Sequence, residues 1–170
     1  LGFLTTVVSL VQYAIYPDIR ALEVLEWDPH YYRVVGSWLD PGFTGIILVF
    51  TLIFLTLNPF KSRLINIITW FASYLAFALT YSRSSYLAFV AGMAWIAWKR
   101  KGWKFLGKVL LLLTITIYLL PRAPGGEGVN LERTNSIFAR IDSWKMAGRI
   151  FSQNPILGVG FNTYRYASGA

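Results

Sequence analysis

Apolar residues run along this chain in five long blocks, at 1–16, 43–57, 64–81, 84–98 and 105–120, and charges and prolines collect between them. A helix rises about 1.5 Å per residue and a bilayer core is about 30 Å thick, so about 20 residues cross it. Several blocks fall a little short of that length. The interval from the charge at Arg63 to the charge at Arg83 is 20 steps, about 30 Å, which makes one full span. After 121 the pattern changes. Pro124-Gly125-Gly126 reads as a flexible linker, and Asn135 or Ser136 as the N-cap of a helix running to about Ser152. Ile137, Ile141, Trp144, Gly148 and Phe151 then recur at helical spacing as one apolar stripe, while Arg140, Lys145 and Arg149 against Asp142 make the rest basic. Asn154-Pro155 ends that helix, and Gly158-Val159-Gly160 predicts a tight turn with exposed backbone. The expected fold is an all-α integral membrane protein: a polytopic bundle over 1–120, then an outward loop over 121–170 bearing an amphipathic helix. The chain opens Leu1-Gly2-Phe3 inside an apolar block and closes at Ala170 in a polar one, so both ends read as truncations.

Composition sharpens this picture. Of 170 residues 55% are hydrophobic, 17% aromatic and only 14% charged, against about a quarter charged in a soluble domain. The absence of Cys excludes disulfides, a thiol nucleophile and thiolate metal sites, and His30 cannot build a His-rich metal site alone. A net charge of +8 would suit nucleic acid, but the placement of the charges argues otherwise. Lys61 and Arg63 share a loop with no acid, and so do Lys99, Arg100, Lys101, Lys104 and Lys108. Asp18, Glu23, Glu26, Asp28 and Asp40 fall in another loop, with Glu127, Glu132 and Asp142 beyond the last block. The bias of Lys and Arg toward cytoplasmic loops places the two basic loops inside, and 17–42, 81–85 and everything after Pro121 outside. Trp95, Trp98 and Trp103 then crowd the inner boundary, and Trp38, Tyr81 and Tyr118 the outer one, as interfacial belts do. Ala88 and Gly92 form a small-xxx-small pair that lets a neighbouring helix approach.

Among residues that could carry chemistry, Arg83 stands between two spans with almost no loop. From there to Lys99 is 16 steps, about 24 Å, so the guanidinium is drawn below the outer interface. A charge at depth is paired or functional, unless it snorkels to lipid phosphates. Arg140, and Arg133 if the helix starts early enough, would share one face of the amphipathic helix. Guanidinium groups suit the bidentate grip of a pyrophosphate, although a basic helix can equally rest on anionic headgroups. Arg33 and His30 lie on the outer side in Trp27-Asp28-Pro29-His30-Tyr31-Tyr32-Arg33, where a lone His is more often an ordinary surface residue than a base. Gly158 and Gly160 could offer amides to an oxyanion or simply make a turn. Asp28 and Asp40 are not at helix-face spacing and the acids make no convincing metal or acid/base pair, and no phosphate-loop or dinucleotide motif is present.

Three stretches resemble the bacterial O-antigen ligase and O-antigen polymerase family. Arg33-Val34-Val35-Gly36-Ser37-Trp38-Leu39-Asp40-Pro41 is similar to the family's R-x-x-G-x-x-x-x-P-N entry to a span. Thr80-Tyr81-Ser82-Arg83-Ser84-Ser85 resembles its S-x-S-R turn. Arg140-Ile141-Asp142-Ser143-Trp144, followed by Asn154-Pro155-Ile156-Leu157-Gly158-Val159-Gly160-Phe161, resembles its R-x-x-x-W … P-x-x-G-x-G tail. Gly42 stands where the family usually has Asn. The resemblance implies a multi-pass enzyme of the bacterial inner membrane, active in lipopolysaccharide or polysaccharide biosynthesis. It would transfer or polymerise a glycan from an undecaprenyl-diphosphate carrier onto a glycan, lipid or protein acceptor, with no metal or other cofactor and no nucleic acid. Arg83, Arg140 and, more weakly, Arg33 would bind the pyrophosphate, supported by Ser82, Ser84, Trp144, Gly158 and Gly160. The family's catalytic His has no counterpart and is expected beyond Ala170. A transporter or flippase of anionic lipid-linked sugars, or a lipid-docking membrane anchor, would use the same arginines without catalysis.

Overall fold

A computed structural model describes residues 1–25, 30–121, 129, 131, 135–160 and 163–167. Trp27, Asp28 and Pro29, the linker Pro124-Gly125-Gly126, the acids Glu26, Glu127 and Glu132, and Arg133 and Phe161 lie outside the described residues. The chain divides into two compact units, Leu1–Leu131 and Glu132–Ala170.

The first unit is helical. It contains α1 (Gly2–Ile15), α2 (Pro41–Leu57), α3 (Arg63–Ala78), α4 (Arg83–Ile96) and α5 (Trp103–Leu119), with short 3₁₀ turns at Arg20–Leu25 and Gly36–Trp38. Each apolar block has become a helix, and the starts of α2, α3 and α4 are marked by a side chain that satisfies an orphan amide of the first turn. Asp40 caps α2 by accepting from Phe43 N–H, with Pro41 preset at the first helical position. Ser62 caps α3 through Ile65 N–H, and Ser82 caps α4 through Ser85 N–H. α4 does not end at the first cation. It runs on into a π-helical turn, Ala97–Lys101, which stops at Gly102 with φ +76.

The core joins α2, α3 and α4 with support from α5. Leu48, Leu52, Phe77, Phe89 and Met93 are fully buried, and Phe77 packs against Tyr86 and Phe89 with ring centroids 5.2 and 5.0 Å apart. Small residues let α2 lie against α4. A Cβ on Gly92 would come within 2.5 Å of Ile53 Cδ1, and one on Gly45 within 2.3 Å of Ser85 Oγ. The expected close approach at Gly92 is therefore made by α2, and Gly45 makes a second, tighter one near the start of α4.

α1 carries its polarity on the inside. Its buried residues are Thr5, Thr6 and Ser9, and Thr6 Oγ1 lies 2.9 Å from Ser73 Oγ of α3. Gln12 Oε1 accepts from Val35 N–H and Gly36 N–H at 3.0 and 3.4 Å. Phe3, Leu4, Val7, Val11 and Ile15 point outward. No helix among the described residues is long and apolar enough to cross a membrane; α2 and α5, at 17 residues each, would rise about 26 Å. Tyr81, expected in an outer aromatic belt, is instead buried, whereas Tyr118 is exposed.

The second unit contains α6 (Asn135–Gln153) and the short α7 (Tyr164–Ala167). Tyr164 Oη donates to Ser143 O at 3.2 Å, which returns the chain onto α6.

Candidate functional site

Between α3 and α4 the chain turns in four residues, 79–82, and several of the unit's long-range polar contacts converge there. Helix α3 ends with carbonyls that have no partner in the next turn. The segment 33–34 supplies the donors: Val34 N–H to Leu79 O at 2.9 Å, Arg33 Nε to Thr80 O at 3.0 Å and Arg33 Nη2 to Tyr81 O at 3.3 Å. Three successive carbonyls are thus held by two residues nearly fifty positions earlier. The clasp holds Tyr81 in the left-handed region, at φ 50, where a bulky side chain is costly. Tyr81 Oη donates to Pro121 O at 2.6 Å, a second anchor for the same residue.

The residues leading into α2 give the clasp its footing. Gly36 has φ +58, and a Cβ there would meet Ser9 Oγ at 2.9 Å, so both the backbone turn and the contact with α1 require glycine. Thr44 Oγ1 donates to Val35 O at 2.6 Å. The spacing of Arg33, Gly36 and Pro41 therefore has a local meaning: a carbonyl clasp, a left-handed glycine, and the start of a helix.

At the start of α4 the hydroxyls cluster. Ser82 Oγ lies 2.8 Å from Ser85 Oγ and 3.2 Å from Ser84 Oγ, and Ser85 Oγ lies 3.3 Å from Gly42 O. Thr80 Oγ1 donates to Phe77 O at 2.7 Å and accepts from Ser82 N–H at 3.3 Å. Ser82 is buried and Ser84 exposed. Arg83 is the first residue of α4, half-buried, with Nη1 3.4 Å from Leu131 O. It sits at the positive end of a 14-residue helix, among hydroxyls and first-turn amides, an arrangement suited to an oxyanion. Arg33, in contrast, is 6% exposed and spends its guanidinium on backbone carbonyls. The structure brings Arg33, Ser82, Arg83 and Ser84 to one turn, but with different tasks.

In the second unit Arg140 and Trp144 are exposed on α6 one turn apart. Lys145 Nζ lies 3.7 Å from Asp142 Oδ1, whereas the ion pairs of the described residues do not include Arg140. Of the expected apolar stripe, Trp144 and Phe151 are 74% and 67% exposed. Gly158 and Gly160 adopt φ +64 and +94, and Gly158 N–H donates to Asn154 O at 3.1 Å. That amide is spent on closing the turn, so Gly158 contributes shape there.

Sequence reasoning passed over Gln12, Gly45 and Ser85 as parts of this architecture. Gln12 could have been found, because Thr5, Ser9, Gln12 and Tyr16 recur at helical spacing along an otherwise apolar block.

A family model described as O-antigen ligase matches residues 67–169. That stretch includes the α3–α4 turn with Arg83, and α6 with Arg140; Arg33 precedes it. No curated protein and no solved structure matches the chain.

Proposed function

The chain belongs to the O-antigen ligase family, and from that membership we propose that it forms part of an inner-membrane glycosyltransferase acting on an undecaprenyl-diphosphate-linked glycan. The acceptor is a hydroxyl of a second glycan, a lipid or a protein. In the transfer, the acceptor oxygen bonds to the anomeric carbon while the bond from that carbon to the carrier phosphate breaks. The leaving pyrophosphate gains negative charge, and stabilising that charge is what a guanidinium in a partly desolvated site does best. Arg83 is our principal candidate, with Arg140 as a second phosphate ligand. The observation that carries this reading is the position of Arg83 at the positive end of α4, among Ser82, Ser84 and Ser85, within the stretch shared with the family. The acceptor proton needs a separate base, because an arginine side chain does not deprotonate.

Residence in a membrane is supported by the inside-out polarity of α1, with hydroxyls buried and Phe3, Leu4, Val11 and Ile15 exposed. In water such a face would be a large apolar patch, whereas in lipid it is the expected exterior, and buried hydroxyl pairs such as Thr6 with Ser73 join neighbouring helices. Five-span topology with 17–42 and 81–85 outside follows the same reading.

Arg83→Lys and Arg140→Lys in the full-length enzyme test the assignment. Lysine keeps the charge and loses the planar fork. Transfer should fall by on the order of 100-fold in each variant, with the membrane level of the protein unchanged. Near-normal transfer in both would remove these arginines from the site and favour simple contact with lipid headgroups.

A further inference from the structure

At the opposite end of α4 from Arg83 lies a second surface, built from aromatic and basic side chains. A groove of about 350 Å³ runs between α4 and the start of α5, with Ala91 and Ala94 as its floor and Trp95, Trp98 and Trp103 as its walls. Its volume falls in the range of ligand sites, about 300–1,000 Å³. The indoles are ordered against one another and against a cation. Trp95 and Trp98 meet edge to face at 5.2 Å, and Lys99 Nζ stands 4.2 Å from the Trp98 ring centroid and 5.4 Å from that of Trp95. The π-helical turn Ala97–Lys101 and left-handed Gly102 hold these groups at the mouth of the groove. In the turn after Trp98 and the first residues of α5, Lys99, Arg100, Lys101, Lys104 and Lys108 are all exposed, and none belongs to an ion pair among the described residues. The sequence from Pro41 through Gly126 contains no Asp or Glu. An apolar slot with aromatic walls beneath an unneutralised cation cluster complements a molecule with a hydrocarbon body and an anionic head.

We propose that this groove binds an anionic phospholipid of the membrane, an acyl chain lying against Trp95, Trp98 and Trp103 and the phosphate among Lys99, Arg100, Lys101 and Lys104. The proposal rests on the membrane reading of the preceding section. It goes beyond the general bias of basic loops toward the cytoplasm, because it requires the aromatic walls as well as the charge.

The full-length protein, reconstituted in phosphatidylcholine vesicles containing a small fraction of brominated lipid, provides the test. Bromine quenches tryptophan on contact, so brominated phosphatidylglycerol should quench well beyond an equal fraction of brominated phosphatidylcholine. Each cation near an anionic membrane surface is worth about fivefold in affinity for it. The combined Lys99→Gln, Arg100→Gln, Lys101→Gln and Lys104→Gln variant should therefore lose the excess, as should Ala94→Leu, which fills the slot and leaves every charge in place. The combined Trp95→Phe, Trp98→Phe and Trp103→Phe variant should lose the quenched component itself. Equal quenching by the two lipids, or an excess that survives both Ala94→Leu and charge removal, would overturn the proposal. So would its abolition by excess inorganic phosphate, which would indicate a site for free oxyanions. Vesicle flotation separates the two readings: protein that floats but quenches without headgroup preference sinks the lipid site alone, and protein that fails to float with either vesicle sinks the membrane reading and the site with it.

Discussion

Arg33 holds the four-residue turn between α3 and α4 and Arg83 follows directly after it, and their surroundings separate a structural arginine from a candidate ligand. Arg33 Nε and Nη2 hold the carbonyls of Thr80 and Tyr81. Hydrogen bonds from a charged group contribute about 1.5–3 kcal/mol each, and a carbonyl left without a donor adds its own cost. Arg33→Met should thus lower the melting temperature in detergent and the amount of protein in the membrane. Arg83→Lys should do neither. If Arg33→Met melted normally and lost only transfer, Arg33 would have to be moved from the clasp to the substrate. This distinction was not legible in the sequence. The two residues share a type and an expected outward placement, and the clasp depends on partners 47 and 48 positions away.

At the scale of elements, the sequence is easier to read, because apolar runs end where a capping side chain begins. Asp40, Ser62 and Ser82 mark the starts of α2, α3 and α4. Replacing Ser82 by Ala should cost about 1 kcal/mol, measurable as a shift in the denaturation midpoint. Two glycines on the α2–α4 contact should answer differently to a methyl group. At Gly92 the obstacle is Ile53 Cδ1, the far end of a flexible side chain, so Gly92→Ala should be tolerated with only a small change in melting temperature. At Gly45 the obstacle includes Ser85 Cβ at 2.8 Å, close to the backbone of α4, so Gly45→Ala should push the helices apart. Loss of transfer and of stability together in Gly45→Ala, with Gly92→Ala close to wild type, is the expected outcome. The π-helical turn had no local signature, since Ala97–Lys101 reads as the charged end of an ordinary helix. The buried hydroxyls of α1 were hidden by the apolarity of the block around them.

For the whole molecule, the separation of acids from the basic loops makes a sidedness prediction that uses the absence of Cys in the chain. Single Cys substitutions at Arg20 and Ser84 should label with an impermeant maleimide on intact spheroplasts, and those at Ser62 and Gly102 only after lysis. Labelling of Gly102→Cys with silence at Ser84→Cys would invert the arrangement. The all-helical class and the family were legible because they reside in runs and in spaced motifs; the hydrogen-bonded interior of the α3–α4 turn was not, because no run encodes it. That turn also bears on how the protein is made. Its donors, Arg33 and Val34, leave the ribosome before the carbonyls they serve, so the donating half of the clasp is already in place when residues 79–81 emerge. Assembly can then proceed in the order of synthesis, with α3 fastened before α4 exists. Arrested nascent chains that have just exposed Tyr81 should already resist protease around Tyr32 and Val34, and the same chains carrying Arg33→Met should be cut there.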